Sequence, residues 1–139
     1  MAPTTVPDPG DLLAMMPYAA ALGMTVEEAS AECVRASLPW AAARCTTGGI
    51  LHGGALMSLA DTAGGICAFL NLPAGAGTAT VESKTNFFRA VREGSARATA
   101  RPLHVGRSFI VVQTDLEDDR GKLVGQTTQT QAVLAPRGA

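Results

Sequence analysis

Residues 49–63 read Gly49-Ile50-Leu51-His52-Gly53-Gly54-Ala55-Leu56-Met57-Ser58-Leu59-Ala60-Asp61-Thr62-Ala63, and the run stays nearly all apolar or small as far as Leu70. Drawn as a helix, His52–Leu70 has apolar residues all round it, the pattern of a helix buried on most sides. Gly53-Gly54 stand at its start and Pro73 beyond its end. The interior glycines Gly64 and Gly65 cost about 1 kcal/mol each relative to alanine. Close approach of another backbone explains that cost, as would looseness at the helix end; close approach is the expectation adopted. Asp61 is the only formally charged residue between Arg44 and Glu82. At average charge density a stretch of that length would carry about six charges. An ionised carboxylate in a mostly buried helix needs hydrogen bonds or a partner. Either Asp61 occupies the helix's one exposed stripe or it is a functional acid, since unpaired buried acids tend to be sites.

Gly53 and Gly54 lie at the helix N-terminus, where free backbone N–H groups and the dipole favour developing negative charge. Such donors suit a thioester carbonyl becoming an oxyanion. Asp61 is eight residues past Gly53, about 12 Å along the axis. Oxyanion donor and attacking group must both come within about 3 Å of one reacting carbonyl. One helix does not easily supply both. Two antiparallel copies do, each giving its N-terminus to the other's Asp61, so the spacing favours a dimer with two composite sites.

Outward from this segment, the chain reads as one α+β domain. At 139 residues it is long enough for one hydrophobic core but not two. It is 47% hydrophobic and 17% charged with a net charge of -1, so it folds, hides part of its surface in subunit contacts, and offers no cationic face for nucleic acid. Residues 1–10 hold three prolines and read as a loose arm; 11–135 form the domain and 136–139 a tail. Asp11 is placed to cap a helix running through Leu12, Met16 and Ala21 to Gly23. Met24–Trp40 reads as a long strand or bent hairpin and Ala41–Leu51 as a loop. Thr78–Ala90 alternates, with Val81, Ser83, Thr85 and Phe87 opposite Thr80, Glu82, Lys84 and Asn86. Strands follow over 95–103, 108–116 and 123–134, the last two joined at Glu117–Lys122, where Gly121 is free to take positive φ. An antiparallel sheet wrapping one central helix is the expected architecture. Cys33, Cys45 and Cys67 form neither a CxxC pair nor an even set, and read as buried small hydrophobes in a reducing compartment. No signal peptide and no uninterrupted membrane span are recognised, so a soluble, cytoplasmic protein is expected.

The string from Gly49 to Ala63 resembles the HGG…D signature of the hotdog-fold thioesterases, nearest the PaaI-like and 4-hydroxybenzoyl-CoA thioesterase branch. Thr78–Val91 looks like the strand after the family's helix, and His104-Val105-Gly106-Arg107 like its H-x-G-R hairpin. The resemblance implies four to six strands around the helix, with dimers pairing sheets edge to edge and often forming homotetramers. It implies an acyl-CoA thioesterase acting on an aryl or medium-chain acyl group, with no cofactor, coenzyme A being part of the substrate. The Gly53 amide would polarise the carbonyl, and Asp61 of the other subunit would serve as nucleophile or as general base for water. The family residue six before the His, often Asn or Gln, is Thr46 here, a shorter donor. Thr80 matches a Ser or Thr that assists the acid, and Gly65 replaces a Thr found in one branch.

Further candidates complete the reading. His52 is expected to fix the loop through its ring rather than transfer protons. Ser58 lacks a G-x-S-x-G elbow, and His52 with His104 are too few for zinc. Arg89, Arg92, Arg101 and Arg107 are candidates for the nucleotide phosphates of CoA, with Arg89, Arg107 and His104 preferred. The rival readings are a hotdog hydratase or dehydratase, and a non-catalytic acyl-CoA-binding module.

Overall fold

The computed structural model describes residues 7–136; most of the proposed arm and tail lie outside that range. Two short helices, α1 (Pro9–Ala14) and α2 (Pro17–Leu22), lead into a hairpin of β1 (Thr25–Ala29) and β2 (Val34–Pro39). A single 3₁₀ turn at Ala42–Arg44 precedes the long helix α3 (Gly53–Leu70). Then come β3 (Gly77–Phe87), β4 (Ser95–Val105), β5 (Phe109–Glu117) and β6 (Leu123–Leu134). The six strands form one sheet in the order β1-β2-β4-β5-β6-β3, and every pairing is antiparallel. β1 and β3 are its edges.

The helix lies against the concave side of the sheet because that side is apolar and small where it passes. Val34, Ala36 and Leu38 of β2, Ala96, Ala98 and Ala100 of β4, and Ile110, Val112 and Leu116 of β5 are all buried. They meet Leu56, Leu59, Ala60, Ala63, Ile66 and Cys67 of α3 in one core. The alanines of β4 let the helix backbone approach closely, and each large side chain fully buried here contributes roughly 1.5–3 kcal/mol. By length and composition α3 would suffice to cross a membrane, but 56% of it is buried inside the fold, and Asp61 and four glycines interrupt its apolar run, as the sequence reading has it.

Three details differ from the sequence reading. The expected helix from Asp11 to Ala21 is broken in two by Pro17, which lacks an N–H and clashes with the preceding turn. Its cap is Asp8, whose side chain accepts from the Gly10 N–H, rather than Asp11. Gly23 does end α2, in the left-handed conformation at φ 93°. Among the cysteines only Cys67 is buried, and burial pushes its thiol up to about 11; Cys33 and Cys45 are half-buried.

Candidate active site

At the N-terminus of α3, His52 is the cap. Its backbone is extended and its Nδ1 accepts the Gly54 N–H at 2.7 Å. Its own N–H donates to the Arg44 carbonyl at 2.9 Å. The ring thus caps the helix, and the backbone N–H ties it to the preceding loop. The cap occupies the Gly54 N–H, and among the described residues no acceptor is bonded to the Gly53 N–H. That group is one of the orphan donors of a helix start, and it opens on a cavity of about 330 Å³ lined by Thr46, Gly53, Leu56, Phe87, Phe88 and Arg89. The Phe87 ring lies over Gly53, where an added Cβ would stand 3.2 Å from it. Thr46 is held at the rim by its N–H, which donates to the Ile50 carbonyl at 2.9 Å.

Two turns along the helix, Asp61 belongs to an exposed stripe with Met57 and Phe69, so within one protomer it is not enclosed. It borders a second cavity, of about 320 Å³, whose wall is apolar on one side (Leu12, Met15 and Met16 of the α1 region; Ile66 and Phe69 of α3) and polar on the other (Thr78, Thr80, Gln131). Partial burial raises the Asp61 carboxyl above its ordinary value, opposed by a hydrogen bond from Gln129 Nε2 to Oδ1 at 3.4 Å. Gly65 borders the same cavity with nothing near it, so close approach does not explain it. At Gly64 the close approach is that of a side chain and not, as expected, of a backbone: a Cβ there would overlap the Gln129 amide.

Thr80 reaches this cavity through an irregularity in β3. Strict alternation sets Thr80 on the face opposite Ser83, Thr85 and Phe87. The ladder shifts register between Thr80 and Glu82, leaving Val81 as the extra residue of a bulge. Thr80 then pairs with Gln131, Ser83 with Gln129 and Thr85 with Thr127, so all three point towards the helix. Thr80 Oγ1 accepts from Gln131 Nε2 at 2.8 Å, and Gln131 Oε1 accepts from the Thr78 hydroxyl at 3.2 Å. The Thr80 hydroxyl hydrogen is thereby left to donate into the cavity. Gln129 and Gln131 are the residues that sequence reasoning missed. Their signal was polarity at alternate positions of a strand otherwise facing the core.

The remaining candidates separate. Arg107 sits in the β4–β5 turn, which lies at the Thr78–Thr80 end of the sheet because Phe109 pairs with Ala132 and Val133 donates to the Ser108 carbonyl. His104 packs over that turn against Gly106. Arg89 lines the Gly53 cavity at the other end, so one protomer does not bring these cations together. His52 and His104 are likewise at opposite ends. Arg92 reaches the Gly48 carbonyl at 3.5 Å. Arg101 stands with Arg35, Gln113 and Asp115 beside a separate depression, away from both cavities. Ser58 donates to the Gly54 carbonyl and exchanges a hydrogen bond with Tyr18, and is not poised as a nucleophile.

A profile of the thioesterase superfamily matches residues 48–125, which include α3 and strands β3, β4 and β5. The chain belongs to that superfamily. Its sheet around one long helix is the superfamily's hotdog fold. The thioesterase PA1618 of Pseudomonas aeruginosa, solved as a mutant, superposes with a TM-score of 0.88 at 30% identity, covering 94% of this chain and 96% of that one. The thioesterase HI1161 of Haemophilus influenzae gives 0.87 at 27% identity, covering 93% and 92%. By sequence, the 1,4-dihydroxy-2-naphthoyl-CoA hydrolase of Escherichia coli is 34% identical over 86 residues, 62% of this chain and 63% of that protein. The proofreading thioesterase EntH of Klebsiella pneumoniae is 31% identical over 101 residues, 73% and 74% respectively. The chain thus spans less than two thirds of the Escherichia coli relative's length.

Proposed function

We propose that this protein is an acyl-CoA thioesterase that works as a homodimer, or as a tetramer of such dimers, hydrolysing an aryl- or medium-chain acyl-CoA in the cytoplasm. The observation that carries this reading is the division of the site. The acid and the oxyanion donor open on two separate cavities, at opposite ends of both α3 and the edge strand β3. β3 is 11 residues long and hydrogen-bonded on one side only, an edge that invites pairing. Val81 and Phe87 on it, with Met57 and Phe69 on α3, are exposed apolar groups along the same side. Antiparallel pairing of two β3 strands sets the Thr80 end of one beside the Phe87 end of the other. It joins each Asp61 cavity to the partner's Gly53 cavity, and it brings Arg107 and His104 of one subunit towards the Arg89 end of the other, where the CoA phosphates would bind.

In such a site the Gly53 N–H stabilises the developing charge on the thioester oxygen, reinforced by the dipole of α3. Ionised Asp61 either adds to the carbonyl carbon, expelling the CoA thiolate and leaving an anhydride that water cleaves, or takes a proton from the water that adds. Thr80 donates to whichever oxygen turns towards it, and Thr46 stands beside the partner amide. The apolar wall of Leu12, Met15, Met16, Ile66 and Phe69 suits an aromatic or aliphatic acyl group. The name of the Escherichia coli relative supports an aryl substrate. Thiol release from a panel of aryl and linear acyl-CoAs tests the proposal. At least one should be turned over by the wild type and lost in Asp61→Asn; no thiol release from any acyl-CoA would contradict it.

A further inference from the structure

Gln129 is fully buried on β6, at a position that faces the helix, with Thr127 and Gln131 on the same face of its strand and Val112 and Ser83 opposite it on the neighbouring strands. An inward strand position in a hydrophobic core is most cheaply filled by an aliphatic side chain, because an amide loses its water there. The Gln129 amide is only half compensated. Nε2 lies 3.4 Å from Asp61 Oδ1, while Oε1 is buried without any hydrogen-bond partner. The amide fits this slot because Gly64 has no side chain to obstruct it. Its orientation is set by Asp61: turning it over would place the Oε1 lone pairs against a carboxylate.

We propose that Gln129 is the positioning residue of Asp61, holding Oδ1 through its amide so that Oδ2 is presented to the thioester or to the attacking water. This rests on the reading of Asp61 as the reacting carboxylate. Among the described residues no salt bridge involves Asp61. The groups packed around it from the α1 region (Leu12, Met15, Met16), β3 (Thr78, Ala79, Thr80) and β6 (Gln131) include no ionisable side chain. Among the described residues, Gln129 is therefore the one neighbour that opposes the effect of burial on the carboxyl. Hydrogen bonds of catalytic groups are often this long in a resting site and tighten when substrate binds.

The experiment compares the wild type, Gln129→Met, Gln129→Glu and Asp61→Asn on the best acyl-CoA across pH, with carbon NMR titration of the Asp61 carboxyl. Methionine keeps the length and removes the donor. Gln129→Met should melt at or above the wild-type temperature and keep KM within about two-fold. It should lose roughly 5- to 10-fold in kcat, the effect of one lost hydrogen bond, with the acid limb of kcat/KM and the carboxyl titration both moved to higher pH. In Gln129→Glu the introduced carboxyl, while protonated, donates to Oδ1 as the amide does. Activity should then survive at low pH and fall as pH rises, giving a bell where the wild type has a plateau. A folded Gln129→Met with wild-type kcat and an unmoved acid limb overturns the proposal. If that variant does not fold, an unchanged plateau in Gln129→Glu does so. An Asp61→Asn protein that retains turnover would instead sink the underlying reading of the site.

Discussion

The proposed mechanism concentrates the chemistry in one side chain, Asp61. Asp61→Asn keeps the shape and removes the charge, and should lower kcat at least ~100-fold, as expected for a positioned acid or base. Folding and assembly should be intact by sedimentation and circular dichroism. Because burial raises the carboxyl's affinity for its proton in the folded state, its contribution to stability is greatest in acid. That contribution is lost as pH rises through the raised folded value. At neutral pH Asp61 consequently costs stability, and Asp61→Asn should melt higher than the wild type there, with the gap closing in acid. The acid limb of kcat should lie above the ordinary carboxylate range, since only the ionised form reacts. Thr80→Ala should cost less, about 10-fold, one neutral hydrogen bond being worth about 1 kcal/mol. The structure puts Asp61 on the exposed stripe, one of the two alternatives the sequence leaves open, and its standing as the lone charge of an apolar run was legible there. Gln129 was not, because which polar residue of β6 meets the helix depends on a ladder that no local pattern specifies.

At the scale of elements, α3 and β3 carry the site. The two glycines of α3 look equivalent in sequence and differ in the fold. Gly64→Ala should destabilise, because its methyl would overlap the Gln129 amide and force the packing apart. Gly65→Ala meets nothing within 4 Å and should raise the melting temperature through helix propensity worth about 1 kcal/mol. The helix and the succession of strands along the chain could be read from periodicity, since apolar spacing and turn residues are local signals. The sheet order could not, a meander being expected where β3 in fact crosses to pair with β6. The bulge at Val81 could not, because strict alternation is the default for a strand and the extra residue shows only against the partner β6. Without it, Thr80 would face away from Asp61. The break at Pro17 was legible in principle from the ring alone, and the unbroken helix expected there gave too little weight to it.

At the scale of the whole molecule, the claim is that one chain holds two halves of two different sites. A charge on the free edge should keep β3 strands apart, so Val81→Lys should yield a folded monomer with little thioesterase activity. A monomer by sedimentation that is fully active would count against the assembly. The proposal of a dimer rests on the eight residues between Gly53 and Asp61 and the length of a helical turn. That β3 is a free edge, and so the proposed seam, is not legible in the sequence and depends on its pairing with β6 alone. The most direct measurement mixes two inactive proteins, Asp61→Asn and a variant blocked at the other half-site, Gly53→Val, by co-refolding. Random pairing makes half the dimers hybrids with one intact site each, so activity should return to about a quarter of wild type. A mixture as inactive as its two components, with hybrid dimers demonstrably present, would show that Asp61 and Gly53 do not act across the subunit boundary.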